Sequence, residues 1–553
     1  MNSPLLRQVA VVNLAILLGM VALMALMHVL GAPHKNPLCD VYYHLYFRFE
    51  PTAGVLLFTA LCAAFFLSVN RPIKVAPAFF ITPSKVIIAA AFFVLLTWAG
   101  THFIALDYPL SQDEYSAFFQ SEIFAAGRVW ADIPKDLVKA LWPASPQFFV
   151  TSVEKGYWHG GYWPWHSFLM VPFTVLGQPQ LYNPLMGAAT LWLFAVYLRE
   201  RFASPQWVFA GLLFAVSSLS FVFMSITFYS WPSHLFFNLL FVMLLKKKSP
   251  RHDYLAGLVG SVALGLHQFV PHFCFALPWC IDCAARGEWK KLVRLVVGYL
   301  PGCVLVLVGW FWLCSQGDMN HHMQGAVSGG WADFVVSRLR HLGFHVPNIG
   351  QCLFMLLPFS QIVLWSHPAM FPLALRAVFK KEMEREDMLW AASFALTFGI
   401  YIFAAFTPGH GWGYRYIHSA WFALPVLGVS AMRHLVKSGV GDIGRMLSEI
   451  VWIGAISVLF MLPFRCWEVR SFVEERLAPM KEFTGFDGIV FVAVDTGWYY
   501  QDYTRNDPFL KSRPIFLHSQ GADADRALAS KLGLPYRHLV GKHSLKNKPH
   551  ENH

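Results

Sequence analysis

The chain of 553 residues is 56% hydrophobic and 16% aromatic, and only 14% of it is charged. Soluble domains carry about 25% charged residues, so a water-soluble globular fold is excluded. The net charge of +11 does not point to nucleic acid, because the basic residues gather in short links between apolar runs, the pattern of cytoplasmic loops.

The first apolar run, Val9 to Leu30, exceeds the apolar region of a cleaved signal, about 7–15 residues, and predicts a spanning anchor. Candidate spans are 8–30, 52–70, 86–106, 181–199, 205–225, 230–245, 253–269, 270–285, 293–314, 350–366, 388–406, 417–432 and 446–464. That is about thirteen helices, and continuous runs rather than alternating segments exclude a β-barrel. Lys246, Lys247, Lys248 and Arg251 form one basic link; Arg286, Lys290, Lys291 and Arg294 a second; Arg376, Lys380, Lys381 and Arg385 a third. A cytoplasmic N-terminus puts all three on the inner side, together with the links 71–85, 199–201 and 433–445. The run Trp163 to Gly177 would invert this order if it spanned. It is short and holds Pro164, His166 and Pro172, so it is predicted to be an interfacial or re-entrant helix on the outer face.

The outer segments are then 107–180, 315–349 and 465–553. In the last, Gly488 to Val494 and Pro514 to Leu517 read as strands, Ala522 to Leu532 as a helix, and 542–553 as disordered. The expected architecture is an all-α polytopic membrane bundle with amphipathic interfacial helices in its first large outer loop and a small C-terminal α/β extracytoplasmic domain. Its domains are 1–464 and 465–553, in a bacterial inner membrane with the C-terminal domain periplasmic. The nine cysteines are odd in number and lie mostly within apolar runs, so no disulfide framework follows, and Cys280 and Cys283 read as buried thiols.

The chemistry gathers on the outer side. Ser111 precedes Glu114 by three residues, the capping-box spacing, in a helix that Gly127 ends. This predicts an amphipathic helix on the outer surface. Glu114 closes the box; Asp113 is left over, either a solvated first-turn acid or an anion that takes a proton or holds a metal. Adjacent helical residues point about 100° apart, so the two are not the facing carboxyls of a glycoside hydrolase. A second loop, Thr407 to His418, holds glycines at 409, 411 and 413 and offers the planar fork of Arg415 between Tyr414 and Tyr416. An arginine so near a span is a functional candidate unless it snorkels to headgroups. Lys155, His159, His166, His234, His267, Gln268 and His272 are weaker candidates for lining a lipid or sugar site, each equally readable as a structural residue. His321 and His322 near Asp318 lack the spacing of a helical zinc site.

Together the Asp113-Glu114 pair, the aromatic-Pro segment at 163–177, the span count and the Tyr414-Arg415-Tyr416 loop resemble the GT-C superfamily of membrane glycosyltransferases. The resemblance covers about 80–430 and is nearest to the protein O-mannosyltransferases and bacterial aminoarabinose transferases (glycosyltransferase family 39-like). It implies a polyprenyl-phosphate sugar donor, a lipid, glycan or protein acceptor, and inverting transfer on the outer face. Asp113 would act as base with Glu114 beside it, and Arg415, Tyr414 and His410 would lie at the donor phosphate, with Tyr416 near. No cofactor is certain, and a divalent metal stays an open alternative. Direct metal ligation by two loops is not expected, since Phe228 to His234 lacks the acidic residue many members carry there. The competing readings are a transporter or flippase of a lipid-linked or anionic solute, which would show midplane charges and pseudo-symmetric halves, and an O-antigen ligase or polymerase.

Overall fold

The computed structural model describes residues 3–29, 43–141, 148–317, 347–380, 383–403, 411–493 and 500–540. His410, His321, His322, Asp318, Val494 and the segment 542–553 lie outside these. Helices α1 (Pro4–Val29), α2 (Glu50–Asn70) and α3 (Pro83–Phe103) open the chain. The first large loop follows, with α4 (Gln112–Ala125), an antiparallel sheet of order β1-β3-β2 (Ala131–Asp132, Tyr157–Gly160, Phe149–Ser152) and α5 (Trp165–Val175). Then come α6 (Tyr182–Phe202), α7 (Pro205–Val216), α8 (Trp231–Leu245), α9 (Pro250–Leu264), α10 (Phe269–Ala285) and α11 (Trp289–Cys303). After them stand α12 (Leu356–Leu364), α13 (Met370–Phe379), α14 (Arg385–Ile402), α15 (Ala423–Lys437) and α16 (Ile443–Lys481). Among the described residues six helical stretches are long and apolar enough to cross a membrane, and the shorter apolar helices α7, α8, α10 and α13 stand among them. The chain is an integral membrane protein.

The predicted inner links do meet at one end of the bundle. There Arg201 and Arg433 pair with Glu384 at 2.7 and 3.0 Å, Lys246 with Glu386 at 2.6 Å, and Arg294 with Asp253 at 2.7 Å. Sixteen residues of α14, 385–400, about 24 Å of helix, separate Glu384 at this charged end from Tyr401, whose ring meets Tyr416 at 4.7 Å. The polar residues of the loops around Asp113 and Arg415 therefore gather at the opposite end. Between the ends, α9 and α11 cross so closely that a Cβ on Gly257 or Gly298 would strike the facing backbone, the small-residue packing that helices use in lipid.

Two predicted spans are broken rather than continuous. The run 205–225 stops at Val216 and resumes as a short helix at Leu219–Met224, because Ser217 and Ser218 turn their hydroxyls back onto the carbonyls of Leu213 and Phe214. The run 350–366 also breaks, and the apolar helix α13 follows it, which the pattern did not show as a helix. The breaks face each other: Ser220 N donates to the Trp365 carbonyl at 2.7 Å and His367 N to Ser218 Oγ at 2.9 Å, so backbone groups freed by one are satisfied by the other. The span at 417–432 starts late, at Ala423, because Arg415–Ala420 wind as a 3₁₀ turn.

The helix of the last predicted span continues past 464: α16 runs to Lys481 and brings Arg465 beside α2. Arg465, fully buried, bonds Glu50 at 2.9 Å and Glu468 at 2.6 Å and lies over the Trp365 ring at 4.0 Å. Beyond it the parallel sheet β5-β4-β6 (Ile515–His518, Ile489–Val492, Tyr536–Leu539) packs with α17 (Ala522–Leu532). Two of these strands and the helix match the expected segments; β6 was not foreseen.

Candidate active site

The site begins at the capping box of α4, which is complete: Ser111 and Glu114 each reach the other's backbone. Glu114 does more than cap. Its Oε2 accepts from Leu110 N at 2.9 Å, and its Oε1 accepts from Phe228 N at 2.9 Å, so the carboxylate ties α4 to the loop before α8. Burial pushes its pKa up to about 7, against the amide of Phe228 and the charges of Arg415 and Arg505, which pull it down. Its oxygens are therefore engaged by backbone, away from Asp113.

Asp113 turns toward the bundle instead. Its Oδ2 accepts from Arg415 Nη2 at 2.8 Å and its Oδ1 from the Tyr162 hydroxyl. Burial alone would raise this carboxyl, but the Arg415 guanidinium, with His267 and Tyr162, holds it below the ordinary range. Arg415 is placed by the 3₁₀ turn. Gly411 and Gly413, both at positive φ, let the preceding chain fold back onto the arginine stem and against Ser220 and Trp365, where a Cβ would collide. The guanidinium lies between the rings of Tyr229 at 4.5 Å and Tyr416 at 4.8 Å and donates to Tyr416 Oη at 2.9 Å. Those rings shield the charge without neutralising it.

A small cavity beside the pair is lined by Asp113, Tyr162, Trp163, His166, Tyr229, Trp231 and His267, among others. The His267 ring packs on Tyr162 at 4.0 Å between centroids. His166 forms the wall, its Nε2 at 3.0 Å from the Phe228 carbonyl and its Nδ1 3.4 Å from Ser233 Oγ, and burial lowers its pKa to about 4. His234 lies behind, fully buried, both ring nitrogens without a partner among the described residues.

Other predicted residues stand elsewhere. His272 bridges Asn238 at 2.7 Å and Tyr299 at 2.6 Å, a saturated structural link, and Gln268 stands just before α10. Tyr414 faces away, its ring on Phe398. His159 is buried on β3 against Trp310, and Lys155 sits in the β2–β3 turn near Gln316 at 3.3 Å. The pattern missed Tyr162 and Tyr229; only the clustering of Gly160, Gly161 and Pro164 around Tyr162 marked a special turn. Among the described residues no three His, Cys, Asp or Glu side chains stand together as a metal site.

No protein-family model matches the sequence, and no curated protein matches it. Among solved structures, ArnT from Cupriavidus metallidurans bound to undecaprenyl phosphate aligns with a TM-score of 0.50 at 12% identity, over 81% of this chain and 89% of that one. The chain has a GT-C-type fold. The same ArnT in its apo state gives 0.48 at 13% identity over 83% and 89% of the two chains. Arabinosyltransferase EmbB from Mycobacterium smegmatis gives 0.31 at 13%, over 79% of this chain and 47% of its own. The polytopic bundle with its small C-terminal strands is the architecture expected from the sequence.

Proposed function

We propose that the protein is a membrane glycosyltransferase that moves a sugar from a polyprenyl-phosphate donor to an acceptor hydroxyl at the extracytoplasmic end of its bundle. The supporting observation is the Asp113–Arg415 pair at the edge of an aromatic cavity, on a fold shared with ArnT bound to undecaprenyl phosphate. In this reading the donor phosphate takes over the Arg415 fork, which frees Asp113 Oδ2, and the acceptor hydroxyl replaces that of Tyr162 at Oδ1. The acceptor oxygen attacks the anomeric carbon as its proton passes to Asp113; the bond to the phosphate oxygen breaks, and the polyprenyl phosphate leaves with its charge held by Arg415. Attack from the side opposite the leaving group inverts the centre. Tyr416 and the cavity histidines His166 and His267 are assigned to substrate contact, His234 to the layer behind them, while Glu114 acts by holding α4 and the 227–229 loop. The residues past α16 would face the periplasm, with the charged end of the bundle in the cytoplasm of an inner membrane.

Mass spectrometry of outer-face glycans tests the reading. A deletion strain should lose one envelope glycan and accumulate a lipid-linked sugar, restored by wild type and not by Asp113→Asn. Unchanged glycans and lipid pools would overturn it.

A further inference from the structure

The C-terminal domain lies about 390 residues from α4 in sequence, yet its contacts crowd around the start of that helix. Asp502 Oδ1 accepts from Gln112 N at 3.1 Å. Asn506 N donates to Tyr115 Oη at 2.7 Å, and that hydroxyl donates back to the Asn506 carbonyl. Arg505 donates to the Pro109 carbonyl, with its guanidinium over the rings of Tyr108 at 4.3 Å and Tyr115 at 5.5 Å. From the small outer sheet, Trp158 Nε1 donates to the Pro508 carbonyl at 2.7 Å. We infer that the segment 502–508 is a clamp that positions Asp113, making the C-terminal domain part of the transfer site.

The helical period explains how this is possible without touching Asp113. Gln112, Tyr115 and Phe119 share one face of α4, and residues 113 and 114 point about 100° or more away from it, into the bundle. The first face is sealed apolar: Tyr115, Phe119 and Ile123 bury with Ile489, Phe491, Ile515 and Leu517 of the domain's strands. The helix is roofed over rather than laid on an open surface, and Phe119 is fully buried. Asn506 is itself fixed to the sheet, its side-chain amide exchanging two 2.8 Å bonds with the backbone of Phe516. A rigid path thus runs from β5 through Asn506 and Tyr115 to the first turn of α4. Residues 108, 109, 112 and 115 bracket Asp113 on both sides. An error of about 1 Å in a reacting group costs on the order of 100-fold in rate, so this bracket matters to turnover. Asp502, Arg505, Asn506 and Tyr115 are positioning residues; none touches the cavity.

This inference rests on the transferase reading for its kinetic consequence but not for its structural one. The test uses the full chain in lipid nanodiscs with Arg505→Ala, Arg505→Lys and Tyr115→Phe. Amide hydrogen exchange at 112–116 should accelerate at least tenfold in Arg505→Ala and Tyr115→Phe while the spans keep their protection. Affinity for undecaprenyl phosphate should stay within about threefold of wild type, kcat should fall by about 10–100-fold, and Arg505→Lys should recover part of it. Unchanged exchange at 112–116 overturns the clamp, as does accelerated exchange with full kcat. If wild type transfers no sugar, the function reading fails and the exchange measurement still decides the clamp. If Arg505→Ala does not fold, Tyr115→Phe, which removes a single hydroxyl, carries both measurements.

Discussion

Arg415→Ala is the perturbation from which the transferase reading has most to lose. In the resting site the guanidinium makes one charged bond to Asp113 at 2.8 Å, one bond to Tyr416 Oη at 2.9 Å, and two ring contacts. Its side chain is 5% exposed and that of Asp113 19%, so the pair is sheltered on one side and reachable on the other. Breaking a fully buried pair costs about 3–5 kcal/mol; the partial exposure and the Tyr162 bond that Asp113 keeps bring the expected stability loss to the lower bound, about 3 kcal/mol. For the donor, loss of a charge-assisted contact to phosphate costs about 1.5–3 kcal/mol, which at about 1.4 kcal/mol per decade is about 10–150-fold in donor affinity. Competition of undecaprenyl phosphate against labelled donor, run on detergent-solubilised protein with its thermal midpoint recorded, reads both numbers. Acceptor KM should move less than threefold. Equal loss for donor and acceptor would refute the assignment of Arg415 to the phosphate, and unchanged donor affinity would refute it outright.

Three further outcomes are expected. Asp113→Asn should retain folding, since its amide oxygen still accepts from Tyr162 or Arg415, and should lose about 100–10,000-fold in kcat, the range of a general base, in membranes supplied with polyprenyl-phosphate sugar; full activity would remove Asp113 from that role. Glu114 titrates near about 7 in the fold rather than about 4.5, so its contribution to stability is complete below about pH 4.5 and is lost as pH rises through about 7. Wild type minus Glu114→Gln, measured as thermal midpoint, should therefore shrink across that window by up to about 3 kcal/mol, and a flat difference would contradict it. A periplasm-dependent reporter fused after residue 486, beyond the end of α16, should be active, and cytoplasmic activity there would reverse the proposed orientation.

What sequence alone determined here is what depends on local pattern and on lipid. Continuous apolar runs forced helices because no other open structure satisfies its backbone in hydrocarbon. The basic links chose a common end, and the spacing of Ser111 and Glu114 wrote the capping box correctly. Asp113 stood out because that box did not use it, and Arg415 because a guanidinium beside a span needs a partner. Tertiary structure decided the rest. The separation of 302 positions between Asp113 and Arg415 leaves no local trace of their 2.8 Å contact. The breaks at Ser217–Ser218 and after Trp365 are tolerable only because they face each other, and neither run alone shows the other. Tyr162 and the 502–508 clamp act through side-chain direction and close approach across the fold, which a one-dimensional pattern does not carry.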